Sequence, residues 1–171
     1  MSGRAATTGH GRSRPRRPAD RRGHPSCRCR PGPSARRDEG RAAKRASIRI
    51  AAARTAAEAA GVAVSITVLD AGGHLLAFRR DDQAVLISGE TSTRKAYTAL
   101  QLNAATADLV DAVKPDGPFH TLPTALDRPL LFIAGGLPVH RGGRLIGAIG
   151  VGGGAPEQDH AYATSAVESL V

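Results

Sequence analysis

Tryptophan is absent from this sequence of 171 residues, and three Phe and two Tyr supply all of its aromatic surface. Platforms that hold single-stranded nucleic acid stack bases on aromatic side chains, so a chain this poor in rings has no such platform. Cysteine is equally scarce, with Cys27 and Cys29 the only two. A single C-x-C is half of a zinc site at best and makes no disulfide framework, so no metal centre is expected and the chain fits a reducing cytoplasm by default. No uncharged apolar run approaches the roughly 18 residues of a membrane-spanning helix. G-x-S-x-G, H-E-x-x-H and G-x-x-x-x-G-K-[ST] are also missing, which removes the nucleophile elbow, the zincin helix and the P-loop.

What the chain has in excess is front-loaded arginine. Residues 1–49 hold 15 Lys/Arg against Asp20, Asp38 and Glu39, while residues 50–171 hold nine basic and 12 acidic residues, so the formal charge of +9 belongs to the front. The run "GRSRPRRPADRRGHPSCRCRPGPSARRDEGR" has almost no apolar residue larger than Ala and cannot bury enough surface to offset its ordering entropy. Residues 1–42 therefore read as a disordered Arg/Pro-rich tail. Its partner, if it has one, is nucleic acid held weakly and nonspecifically through phosphates. Its paired arginines are followed by no apolar h-region, so it is not a signal peptide.

Beyond the tail the pattern becomes regular. "RAAKRASIRIAAARTAAEAA" predicts a helix over about 41–60, with Gly61 as its C′ residue. "VAVSITVLD" alternates Val62, Val64, Ile66 and Val68 against Ala63, Ser65, Thr67 and Leu69, a central strand. "DAGG" reverses the chain, and "HLLAFRR" returns as an antiparallel partner. Residues 88–113 predict two helices or one kinked helix, with Asn103 and Thr106 as break points. "LLFIAGG", "LPVHR" and "RLIGAIGVGG" are three short apolar runs, the last two joined by a Gly142-Gly143 turn. The terminal "PEQDHAYATSAVESL" opens with Pro156 near N1 and acids in its first turn, as a helix should.

Nine of the twenty residues from Gly135 to Gly154 are glycine. "GVGGGA" satisfies G-x-G-x-x-G/A, but only 16 residues follow Ala155, too few for a dinucleotide-binding βαβ unit of about 30. Gly147, Gly150 and Gly152 instead recur inside a strand, where glycine marks a bend or a close approach by a helix, another backbone or a ligand. Asp81-Asp82 reads as a solvated strand end, because adjacent residues of an extended chain face opposite ways. Arg94-Lys95 reads as helix-surface charge or as a cation for a carboxylate. His74, His120, His140 and His160 follow no metal-ligand spacing.

"GVAVSITVLDAGGHLLAFRRDD", "RKAYTALQLNAATADL", "AGGLPVHRGGRLIGAIGVGGG" and "PEQD" together resemble, in order and spacing, the GlcG/HbpS family of haem-binding and haem-degrading proteins, which includes the C-terminal domain of PduO-type proteins. The resemblance covers residues 43–171. It implies an α+β, profilin-like α-β-α unit with a five-stranded antiparallel sheet flanked by helices, assembling as homo-oligomers, dimeric or larger. It also implies haem as cofactor, with oxidative haem degradation in some members. A noncatalytic accessory protein binding a small carboxylate or a corrinoid is the other function the family offers.

On the haem reading, a cleft between protomers would hold the porphyrin on aliphatic side chains. Arg79 or Lys95 would pair its propionates, with Asp81 beside them in "RRDD", where the family usually has "RMDG". Thr106 matches a family threonine that faces the iron, and His140, after "GGLPV", competes with it for that place. "GVGG" puts Gly152 where the family has Ser or Ala.

Overall fold

The alanine-rich segment before Gly61 forms α1, Pro33–Ala59, in the computed structural model, which describes residues 33–170. The helix starts upstream of the break expected at residue 42. Proline suits a first helical position, and the Ala, Arg and Glu residues that follow are good helix formers. Residues 1–32, to which disorder and nucleic-acid contact were assigned, lie outside the described residues.

Strands β1 (Ser65–Asp70) and β2 (Leu75–Arg80) form the expected hairpin. Helix α2 (Ser88–Leu102) follows and ends at Asn103, whose left-handed φ of 49° closes the C-terminus. Turns and a short 3-10 segment, Asp111–Val113, lead to a single helical turn, α3 (Leu122–Ala125). Strands β3 (Gly136–Arg141) and β4 (Arg144–Gly152) meet at Gly142 and Gly143, both with positive φ as a tight hairpin turn requires. Helix α4 (Pro156–Glu168) closes the domain.

The sheet has four strands among the described residues, in the antiparallel order β2-β1-β4-β3, and not the five expected. The missing strand is "LLFIAGG". Its Leu131 N–H donates to Thr98 Oγ1 of α2 at 2.8 Å instead of to a ladder, and only its last residues reach the sheet, where Gly135 O accepts the Val151 N–H at 2.9 Å and Gly136 begins β3.

Both faces of the sheet are covered. Ile66, Val68, Val139, Ile149 and Val151 pack against Ala46, Ile50, Ala53 and Ala57 of α1 and Tyr162, Ala163 and Ala166 of α4. On the other face α2 lies on unusually small residues. The register pairs Ser65 with Gly152, Thr67 with Gly150 and Leu69 with Ala148. The helix answers with Ser88, Ser92, Ala96 and Ala99, all buried. A Cβ on Gly150 would stand 2.6 Å from Ala96 N, and one on Gly152 would stand 2.5 Å from Thr91 Oγ1. Gly147 makes its close approach sideways, against the Leu69 carbonyl of β1.

Hydroxyls replace methyls at this interface. Ser65 Oγ and Ser88 Oγ are 2.8 Å apart, and Thr67 Oγ1 lies 2.9 Å from Ser92 Oγ and 3.0 Å from Thr93 Oγ1. Each buried hydroxyl thus has a partner, which is the condition for burying it cheaply.

Candidate functional site

Lys95 sits on the face of α2 that turns inward, and its position overturns the helix-surface reading. Its side chain is 3% exposed, and Nζ donates to Asp159 Oδ2 of α4 at 2.7 Å. Its neighbour Arg94 remains at the surface and pairs with Glu90. Asp159 also accepts the Gly154 N–H at 2.9 Å through Oδ1. Burial pushes its carboxyl above the ordinary carboxylate value, against the pull of Lys95 and of the Gly153 and Gly154 N–H groups. Asp159 escaped the sequence reading as a site residue. The spacing marked it only as a first-turn acid of a terminal helix, and no local signal links it to a lysine 64 positions away.

Thr106 packs on a second glycine segment, Gly135-Gly136, whose other side meets Lys95. It is fully buried, its Oγ1 accepts the Gly136 N–H at 2.9 Å, and its own N–H donates to Gly136 O at 2.9 Å. Gly136 is clamped between the two predicted residues, since a Cβ there would stand 2.7 Å from Lys95 C and 2.8 Å from Thr106 Cγ2. The hydroxyl expected to face an iron is therefore spent on a peptide and shielded from solvent.

The remaining candidates are elsewhere. Arg79 and Asp81 lie together at the end of β2, Nε to Oδ1 3.6 Å. Asp81 also accepts from Arg54 Nε of α1 at 3.2 Å and from Val64 N at 3.3 Å, which makes it a tie between α1 and the hairpin rather than a solvated strand end. His140 is exposed on β3, with Nε2 2.8 Å from Oδ1 of Asn103, the C-cap of α2. The structure thus brings Lys95 and Thr106 to one glycine segment and Arg79 and Asp81 to one corner, and leaves His140 apart from both.

One hollow opens over the Lys95–Asp159 pair, and a second adjoins it. The smaller, about 280 Å³, is lined by Ile87, Thr91, Lys95, Gly154 and Asp159 among others. The larger, about 570 Å³, is walled by Val110, Phe132, Ile133 and Pro156, with Glu157 and His160 of α4 at its edge. Ile133 and Pro156 border both. The Nδ1 of His160 is shielded from solvent and has no hydrogen-bond partner. An orphaned buried acceptor or donor costs about 1–3 kcal/mol. Since solvent does not reach it, this nitrogen faces the packed interior, and the imidazole meets the cleft by another edge.

A family model described as "Haem degrading protein HbpS-like" matches residues 42–168. The chain belongs to the HbpS-like family. Among curated proteins it is 38% identical over 130 residues to an uncharacterized 15.0 kDa protein of the dhaT-dhaS intergenic region of Citrobacter freundii, a match covering 72% of this chain and 92% of that one. It is 34% identical over 114 residues to the corrinoid adenosyltransferase PduO of the same organism, covering 67% of this chain but spanning only 34% of PduO. Among solved structures it superposes on the PduOC:heme complex with a TM-score of 0.71 at 32% identity, covering 74% of this chain and 91% of that one. The α+β arrangement of helices on an antiparallel sheet matches these HbpS-like neighbours. Among the described residues no helix is long and apolar enough to cross a membrane, and no cluster of three or more His, Cys, Asp or Glu is placed to hold a metal ion.

Proposed function

We propose that this HbpS-like protein binds haem in the cleft walled by Val110, Phe132, Ile133 and Pro156. The observation that carries the reading is an apolar hollow with the His160 imidazole at its edge. A volume of about 570 Å³ falls within the roughly 300–1,000 Å³ of small-molecule and cofactor sites. The walls are apolar, as a porphyrin face requires, and imidazole is a common haem ligand. Bound there, haem would supply an iron whose reactivity the pocket's polarity and axial ligand set. His160 would hold that iron and the aliphatic walls would exclude water, while the Lys95–Asp159 pair ties α2 to α4 beside the cleft.

A haem titration tests the reading. A saturable Soret shift that His160→Ala alters and His140→Ala leaves intact supports it. Absence of saturation, or an identical spectrum in His160→Ala, rejects His160 as the contact. Peroxide-dependent loss of the Soret band, faster than for free haem, adds oxidative degradation to binding. The corrinoid or carboxylate alternative rests on the PduO likeness alone, and a cobalamin titration of the same protein decides it.

Self-association belongs to the same proposal. Edge strand β2 exposes Leu75 and Phe78, and the adjoining Val85, Leu86 and Ile87 are exposed as well, Leu86 at 88%. Apolar runs of this kind on a soluble domain mark contact surfaces, and a second copy of the chain is the partner we assign.

A further inference from the structure

Five arginines converge at the opposite end of the sheet. Arg41, Arg45 and Arg49 follow one another at four-residue intervals on α1, and so line one helix face. Arg141 and Arg144 are cross-strand partners flanking the β3–β4 turn. Together they surround a cleft of about 390 Å³ whose floor is apolar, with Val68, Leu76, Val139 and Ile146, and whose lining includes no acidic residue. None of the five forms an ion pair with a described acidic side chain.

Like charges at i,i+4 and directly across a strand pair both destabilise. The arrangement therefore carries repulsion that a bound anion would relieve. At Arg49 burial foremost, and then Arg141 and Arg45, pull the guanidinium below its ordinary value. It is nonetheless held in place by donating to Ala166 O and Val167 O at the C-terminal turn of α4, at 3.0 and 2.9 Å. The other four have no such structural duty among the described contacts.

We infer that this cleft binds a small molecule carrying two or more phosphate or carboxylate groups, with its apolar part resting on Val68, Leu76, Val139 and Ile146. Arginine forks grip such groups bidentately, and the concave apolar floor suits a small ligand better than a polynucleotide backbone. The site is distinct from the Phe132–His160 cleft and does not rest on the haem reading. It also gives part of the front-loaded charge a folded role, because Arg41, Arg45 and Arg49 belong to the basic residues 1–49.

Calorimetric titration of the full chain with inorganic pyrophosphate, and separately with citrate, tests the inference. Saturable binding of at least one probe is expected, weakened tenfold or more in an Arg41→Gln/Arg45→Gln/Arg141→Gln/Arg144→Gln variant that keeps the basic tail and Arg49. Pyrophosphate alone binding assigns a phosphorylated ligand, and citrate alone a polycarboxylate. The binding probe should also raise the Tm of the unaltered chain more than sodium chloride of equal ionic strength does, a readout independent of how the variant folds. Unchanged affinity in the variant, or no Tm rise from either probe beyond the salt effect, overturns the inference. So does duplex DNA binding that the variant abolishes while neither small probe binds. If the variant instead loses haem binding, the cleft holds haem propionates, and the second-site assignment is overturned in that way.

Discussion

Lys95→Met should cost this protein about 3–5 kcal/mol, because it strands a buried carboxylate. At the observed 2.7 Å and an effective dielectric constant of about 20, the gross attraction between the two charges is about 6 kcal/mol. Desolvation of both ions offsets most of this, so the intact pair adds little net stability, while breaking it leaves the full burial penalty of one ion. Asp159→Asn should cost a similar amount by stranding Lys95. The double variant Lys95→Met/Asp159→Leu should recover at least 2 kcal/mol relative to the sum of the singles. Recovery stays incomplete, since the Gly154 N–H loses its acceptor. Urea unfolding at fixed protein concentration is the assay. With an m-value of about 2 kcal/mol/M, each single variant moves the midpoint by about 2 M. The pH dependence is a second check. A carboxyl raised in the folded state contributes stability that is present below its unfolded pKa and lost as pH rises through the folded value. Removing Lys95 raises the folded value further, so the Lys95→Met deficit should be smaller at pH 5 than at pH 8. Single costs that add within 0.5 kcal/mol, or a deficit independent of pH, would refute the argument.

Gly150→Ala should destabilise by about 1–3 kcal/mol, by pushing α2 off the sheet, whereas Gly142→Asn should change stability by less than about 1 kcal/mol, since Asn tolerates a left-handed turn; equal midpoints in urea would sink the close-packing account. Thr106→Ala should cost about 1–3 kcal/mol by orphaning the Gly136 N–H while leaving the shape of the haem spectrum unchanged, and a spectral change at retained stability would return Thr106 to the iron. Leu86→Glu should shift the protein toward monomer in size-exclusion chromatography with light scattering, and an unchanged mass would place the interface elsewhere.

Local pattern was enough for the hairpins and helices. The β-branched alternation of Val62 to Asp70, the paired glycines at 142–143 and the Pro156 helix start each act within a few residues, so each was legible. The glycines of β4 were legible as a demand for close approach, because a strand gives up packing there only when something fills the space. Which partner fills it was decided by the fold. Antiparallel pairing puts Ser65 and Thr67 beside Gly152 and Gly150 on one face, and only that juxtaposition lets α2 settle on the backbone. The fifth strand failed for the complementary reason. An apolar run becomes a strand only when an edge is free to receive its N–H groups, and at Leu131 the hydroxyl of Thr98 takes that place. Lys95 and Asp159, the sealed Thr106, the orphaned nitrogen of His160 and the arginine cleft all join residues far apart in the chain. Burial, desolvation and charge repulsion depend on those distances in space, and only the tertiary structure supplies them.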